Sequence, residues 1–184
     1  MKTKSFLQSI SLIKPIAIGI VIAFVLRMFF FSSYIVEGSS MTPTLQNGNL
    51  LVINKIGLQF SDLKRFDVIV FHASEKEDYV KRVIGIPGDR ISYQSDKLYV
   101  NDQLVEEPFL NVYQPTFEGN QVMEDFTLLD KTGVETVPEG QLFVIGDNRL
   151  GSYDSREFGF INVDQVVGKV NLRYYPFHLI DTSF

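Results

Sequence analysis

Cysteine is missing from all 184 residues. Its absence excludes disulfides, thiolate zinc sites and cysteine nucleophiles. It leaves the compartment open, because cysteine-free chains occur on both sides of membranes. Histidine is scarce too, with only His72 and His178. His72 ends the apolar run DVIVFH, and His178 sits between Phe177 and Leu179. Neither lies in a serine–histidine–carboxylate pattern, and two histidines make no metal cluster, so both read as structural. Acids are absent from residues 1–36, which carry Lys2, Lys4, Lys14 and Arg27. The other 13 of the 17 basic residues face 22 acids in the rest of the chain, a net of −9. An acidic body argues against nucleic acid as a partner, since phosphate binding needs a basic surface. Internal repeats are lacking, and beyond the first segment no 3.6-residue period lasts more than two turns.

What is present begins with a basic, acid-free front. Apolar residues make up 45% of the chain and charged residues 21%, enough for one packed domain with an appendage. No charge occurs from Pro15 to Leu26, and apolar character resumes after Arg27 through Met28, Phe29, Phe30 and Phe31. A membrane helix needs about 20 residues, which the stretch from Ile13 to Phe31 supplies once Arg27 snorkels to the headgroups. A cleaved leader also has a basic start and a short apolar core. Its cleavage site, however, wants small residues, and here bulky phenylalanines flank Ser32 and Ser33. The expectation is therefore a cytoplasmic N-terminus over 1–12, a transmembrane anchor over 13–33 and an extracytoplasmic domain over 34–184. The lysines ahead of the span set that orientation.

The body reads as strand. Runs rich in Val, Ile, Phe and Tyr cover Asn49–Ile53, Asp67–His72, Tyr79–Ile84, Arg90–Tyr93, Lys97–Val100, Gln141–Ile145 and Val166–Tyr175. Pro87-Gly88 and Glu139-Gly140 punctuate them, and KLYVNDQLV predicts a hairpin turning on Asn101-Asp102. These features predict an all-β domain of small twisted sheets. The polar stretch from Tyr113 to Val134 is read as irregular, with an exposed loop.

Three clusters carry chemistry. Ser40 sits in Glu37-Gly38-Ser39-Ser40-Met41-Thr42-Pro43-Thr44-Leu45, just beyond the expected anchor. Glycine there lets a backbone approach a substrate closely and Pro43 fixes the following turn, although the composition equally fits an ordinary turn. Lys81 lies in a run whose alternation puts Tyr79, Lys81 and Val83 on one face. Among apolar neighbours its ammonium is disfavoured, the direction a general base needs; a lysine snorkelling from a sheet edge fits the same segment. The third cluster, Gly146 to Arg156, packs two acids, two arginines and two serines into the loop after the strand LFVI. Such a loop supports either structural hydrogen bonds or the outer layer of a site. Ser61-Asp62-Leu63-Lys64 and Lys131-Thr132-Gly133 mimic penicillin-recognising motifs, but no S-D-N element intervenes and the body is too small.

Together the three clusters resemble the type I bacterial signal peptidases. The block with the nucleophile reads Ser40-Met41-Thr42-Pro43-Thr44-Leu45, the block with the base Lys81-Arg82-Val83-Ile84-Gly85-Ile86-Pro87-Gly88-Asp89, and G-D-N-R-x-x-S-x-D-S-R runs complete from Gly146 to Arg156. The apolar strand Phe66–Phe71 matches a further element. The resemblance implies an all-β catalytic domain against the membrane, with Ser40 as nucleophile, Lys81 as general base and Ser152 hydrogen-bonded to the lysine. It also implies that Asp154 and Arg156 form a supporting pair, with Asp147, Arg149 and Arg82 in structural positions. Gly38, Ser39, Ser40 and Met41 form the oxyanion and substrate-binding segment; Gly38 stands where some relatives carry a serine, which shifts the hole towards backbone N–H groups. The family often has Gly-Asp where this chain has Gly48-Asn49 and, again, within Arg65-Phe66-Asp67. The implied partners are signal peptides of secreted preproteins and the lipid bilayer, with no cofactor and no metal. Two other readings stay open: a self-cleaving repressor, which shares Ser–Lys chemistry, and a non-enzymatic anchored β-domain that binds peptides.

Overall fold

The computed structural model describes residues 14–22, 31–55, 63–110 and 121–184. Residues 14–22 form a helix, α1, with exposed side chains. No helix among the described residues is long and apolar enough to cross a membrane. Residue 13 and residues 23–30 of the expected anchor lie outside the described residues, as do Ser61 and Asp62. A strand, β1 (Phe31–Ile35), begins three residues inside the expected end of the anchor at 33.

Ten further strands follow: β2 (Leu50–Asn54), β3 (Val68–His72), β4 (Asp78–Gly85), β5 (Ile91–Gln94), β6 (Lys97–Val100), β7 (Gln103–Val105), β8 (Phe126–Thr127), β9 (Gln141–Ile145), β10 (Ile161–Asn162) and β11 (Val166–Tyr175). All described pairings are antiparallel. Seven strands form one sheet in the order β1-β2-β11-β3-β4-β9-β10, and four form a second in the order β7-β6-β5-β8. The expected all-β domain of small sheets is thus the observed one. Three of the expected strands coincide with observed ones in both bounds, and the others differ by a residue at one or both ends.

Local chemistry explains the turns. β5 and β6 turn on Ser95-Asp96, and β6 and β7 on Asn101-Asp102, with φ of 47°, 64°, 51° and 65°. Positive φ at both central residues matches the right-handed twist of the flanking strands, and short polar side chains tolerate it best. Phe66 also has φ of 77°, in the left-handed region that favours glycine, at the very place where the family often has one. Its N–H bond to Val83 O (2.7 Å) and edge contact with Phe109 (5.2 Å) hold it there.

The stretch 113–134 is less irregular than expected. Residues 111–120 are not described, but β8 and a one-turn helix, α2 (Leu128–Thr132), occupy its second half. Thr127 and Asp130 form a capping box, and Gly133 closes the helix with φ of 77°. A second short helix, α3 (Ser155–Phe158), starts on Asp154. Five and four residues are too few to establish a 3.6-residue period, so caps rather than periodicity mark both helices.

Strands buried on both faces separate three apolar clusters. Val68 and Val70 of β3 point into a cluster with Val36, Met41, Leu45, Leu51 and Ile53, while Ile69 and Phe71 point the other way. β9 behaves alike, with Leu142 and Val144 on one side and Phe143 and Ile145 packed against Tyr93, Leu98 and Phe126 of the smaller sheet. Double burial explains why VIVF and LFVI read as continuous apolar runs. Phe143 ties the two sheets together, with Phe126 and Phe160 rings 6.3 and 6.0 Å away. Phe143→Ala should destabilise the domain by about 3–5 kcal/mol, read as a fall in the midpoint of thermal unfolding of the full chain in detergent.

Candidate active site

Ser40 lies in the turn that follows β1. Buried Met41 and Leu45 anchor this turn in the core, and Leu45 N–H donates to Met41 O at 2.9 Å. The loop after β9 grips the turn from the other side. Asn148 N–H donates to Ser40 O at 3.0 Å, and the Asn148 side-chain amide donates to Ser39 O at 3.2 Å. Gly146 permits this approach, because a Cβ there would run into Ser40 O and Ser152 Oγ.

Lys81 comes from β4, opposite Ile69 and beside Tyr79, whose ring lies 5.1 Å from its ammonium. It is 3% exposed, and its Nζ donates to Ser40 Oγ at 2.8 Å. Burial pushes its pKa down to about 8 against the opposing pull of the Asp154 carboxylate. The face shared by Tyr79, Lys81 and Val83 is the one expected, and it is buried rather than snorkelling at an edge.

Around this pair the charges are matched. Asp154, fully buried, caps α3, accepts from Gly146 N–H (3.0 Å) and holds Arg156 by two guanidinium nitrogens at 2.8 and 2.9 Å. Asp147, also fully buried, takes two bonds from Arg82 at 2.9 and 2.6 Å and one from Thr44 Oγ at 2.5 Å. Arg149 pairs with Glu107 at 2.7 Å and donates to Tyr93 Oη at 3.0 Å. The supporting residues expected from the sequence are therefore brought together around Ser40 and Lys81. Thr44, Asn148, Glu107 and Tyr93 complete their bonding, and none of these four was singled out by sequence pattern. Thr44 and Asn148 lie inside the two family blocks, which was the available signal, but their roles come from contacts more than 100 residues apart.

One expectation needs correction in detail. Ser152 is buried in the site, yet its Oγ has no hydrogen-bond partner, so the bond to Lys81 implied by the resemblance is not made. The hydroxyl lies against Gly146, and the lysine donates to Ser40 instead. Gly38 has φ of 86° and its N–H donates to Asn47 Oδ1 at 3.0 Å, so that N–H is engaged in the turn itself. Gly38, Ser39, Ser40 and Met41 all line one cleft. A cleft of about 780 Å³ opens above them, with one wall from Tyr34 to Met41 and the other from Asp78 to Lys81.

A serine in a core-anchored turn, a desolvated lysine within hydrogen-bond reach and an open cleft are parts that acyl-transfer chemistry can use. Residues 9–175 match the family described as signal peptidase, peptidase S26. A signal peptidase I of Bacillus caldolyticus is 53% identical over 163 residues, covering 89% of this chain and 90% of the relative. A signal peptidase IB of Staphylococcus aureus is 42% identical over 173 residues, covering 92% and 91%. A crystal structure of a signal peptidase I from Enterococcus faecalis superposes with a TM-score of 0.56 at 38% identity, covering 59% of this chain and 96% of that one. On this match in sequence and fold, the chain belongs to the signal peptidase family, peptidase S26.

Proposed function

We propose that this protein is a membrane-anchored serine endopeptidase that removes signal peptides from exported preproteins through a Ser40–Lys81 dyad. The observation that carries the reading is the 2.8 Å contact between Lys81 Nζ and Ser40 Oγ at the foot of an open cleft. Neutral Lys81 takes the Ser40 proton as Oγ attacks the carbonyl that follows a small residue, and Ser40 N–H stabilises the oxyanion. The lysine ammonium then protonates the leaving amine. A water attacks the ester in the second half-reaction, with Lys81 again the base and Ser40 restored. Asp154, Arg156, Asp147 and Arg82 hold the two reacting groups in register, and Ser152 fills the space beside them.

The anchor belongs to the same proposal. The uncharged run from Pro15 to Leu26, continued past Arg27, spans the bilayer, with the N-terminus in the cytoplasm and residues 34–184 outside. That places the cleft at the lipid surface, where a cleavage site emerges. The substrate lies extended along the free edge of β1, gaining main-chain hydrogen bonds.

The detergent-solubilised protein incubated with a preprotein should release the mature chain, with the cut mapped by mass spectrometry. Ser40→Ala should remain folded and lose on the order of 10⁴-fold or more in rate. Lys81→Arg should be equally inert, because a guanidinium does not deprotonate at usable pH; near-normal cleavage by it would end the dyad reading. Since Lys81 acts as the neutral base, kcat/KM should rise with pH through about 8 and level off above. Stability follows the same sign. The folded lysine releases its proton below the ordinary 10.5, so between about 8 and 10.5 the unfolded chain holds the extra proton and stability climbs with pH. Gly146→Ala should push Ser40 and Ser152 apart, and activity should fall far more than the unfolding midpoint, measured side by side.

A further inference from the structure

The strands β1, β2, β11, β3 and β4 curl far enough that the two outer members of this run meet, although they are not hydrogen-bonded neighbours. Tyr34 Oη donates to Asp78 Oδ2 at 2.9 Å. Among the described residues both strand edges are open at this point. There β1 pairs with β2 alone, and β4 is paired by β9 from Arg82 onward, so Asp78 to Val80 has β3 on one side. The seam between these edges is the cleft, and the dyad lies further along it.

The bridge has a defined side. Tyr34, Val36 and Val80 pack on the cluster built around Val68 and Val70, and strand alternation puts Asp78 on the face of Val80. Tyr34 and Asp78 therefore cross the seam on its inner face. His72, the β3 partner of Asp78, places Nδ1 2.6 Å from the second carboxylate oxygen and holds that side chain in place. Burial and the Asp78 carboxylate raise the Tyr34 pKa to about 12, so the phenol keeps its proton and remains a donor.

We propose that the Tyr34–Asp78 bridge determines specificity as a strap on the core side of the substrate, admitting only a small inward-facing side chain at about the fourth or fifth residue before the cleaved bond. The inference rests on the peptidase reading above. A strand inserted into the seam lies about 4.8 Å from each edge, with the crossing ring on its core side. β1 leaves the expected anchor and runs towards Ser40, and a preprotein embedded ahead of its cut enters in the same direction. Its residues before the cut therefore pass Tyr34. Asp78 precedes Lys81 by three strand residues, about 10 Å, which sets the position relative to the dyad.

The test is a peptide series with one Trp scanned from the second to the sixth residue before the cut. Each kcat/KM is divided by that of the matching Ala peptide, using the full chain in detergent. The unaltered protein should reject Trp at the fourth or fifth position. Tyr34→Ala and Asp78→Ala should each lift that rejection by roughly tenfold, with Tyr34→Phe intermediate and all other positions unchanged within roughly twofold. Partial unfolding scales every rate alike and cancels in the ratio, so a merely structural role does not produce this pattern. An unmoved profile, a uniform shift, or relief only nearer the cut overturns the strap alone. No cleavage of any peptide by the unaltered protein overturns the peptidase reading and the strap with it.

Discussion

A lysine works as a base only where its charged form is disfavoured, and a folded protein rarely tolerates such a group without cause. Lys81 meets that constraint by burial, with Ser40 Oγ as its hydrogen-bond acceptor. The opposing influence is Asp154, whose negative charge favours the ammonium. Arg156 engages both oxygens of Asp154, which offsets its negative charge. The neighbouring acid caps α3 and binds Gly146 N–H, while its own partner limits its pull on the lysine ammonium.

The same logic repeats one layer out. Arg82–Asp147 and Arg149–Glu107 are buried pairs with their remaining bonding capacity largely used by Thr44, Phe66 O and Tyr93. Removing one member of such a pair costs about 3–5 kcal/mol, because the other is left charged and buried. These pairs join the Ser40 turn, β4 and the loop after β9 into one rigid unit. Arg82 follows Lys81 directly, Thr44 follows Ser40 by four residues, and both end on Asp147.

Sheet curvature supplies the remaining requirement, which is access. A closed barrel would bury Ser40 and Lys81, whereas a flat sheet would leave β1 and β4 far apart. Among the described residues the incomplete curl leaves an open cleft between these two strands.

Much of this was legible in the sequence. Strand runs such as QLFVI and KLYVNDQLV declare themselves because side-chain alternation and turn chemistry are local properties. Lys81 was placed on the right face by the same alternation, and the three family blocks named the residues that meet at the site. What the sequence did not contain was distance. Ser152 in the right block does not bond the lysine, because close packing on Gly146 fixes where its hydroxyl lies. Asn148 and Thr44 matter through contacts spanning more than 100 residues, and the Tyr34–Asp78 bridge exists only because five strands curl. Local propensity and periodicity set the kinds of group available and the strands that carry them. Which lysine is desolvated and which serine it touches follows from the fold, because desolvation depends on the whole packed surroundings.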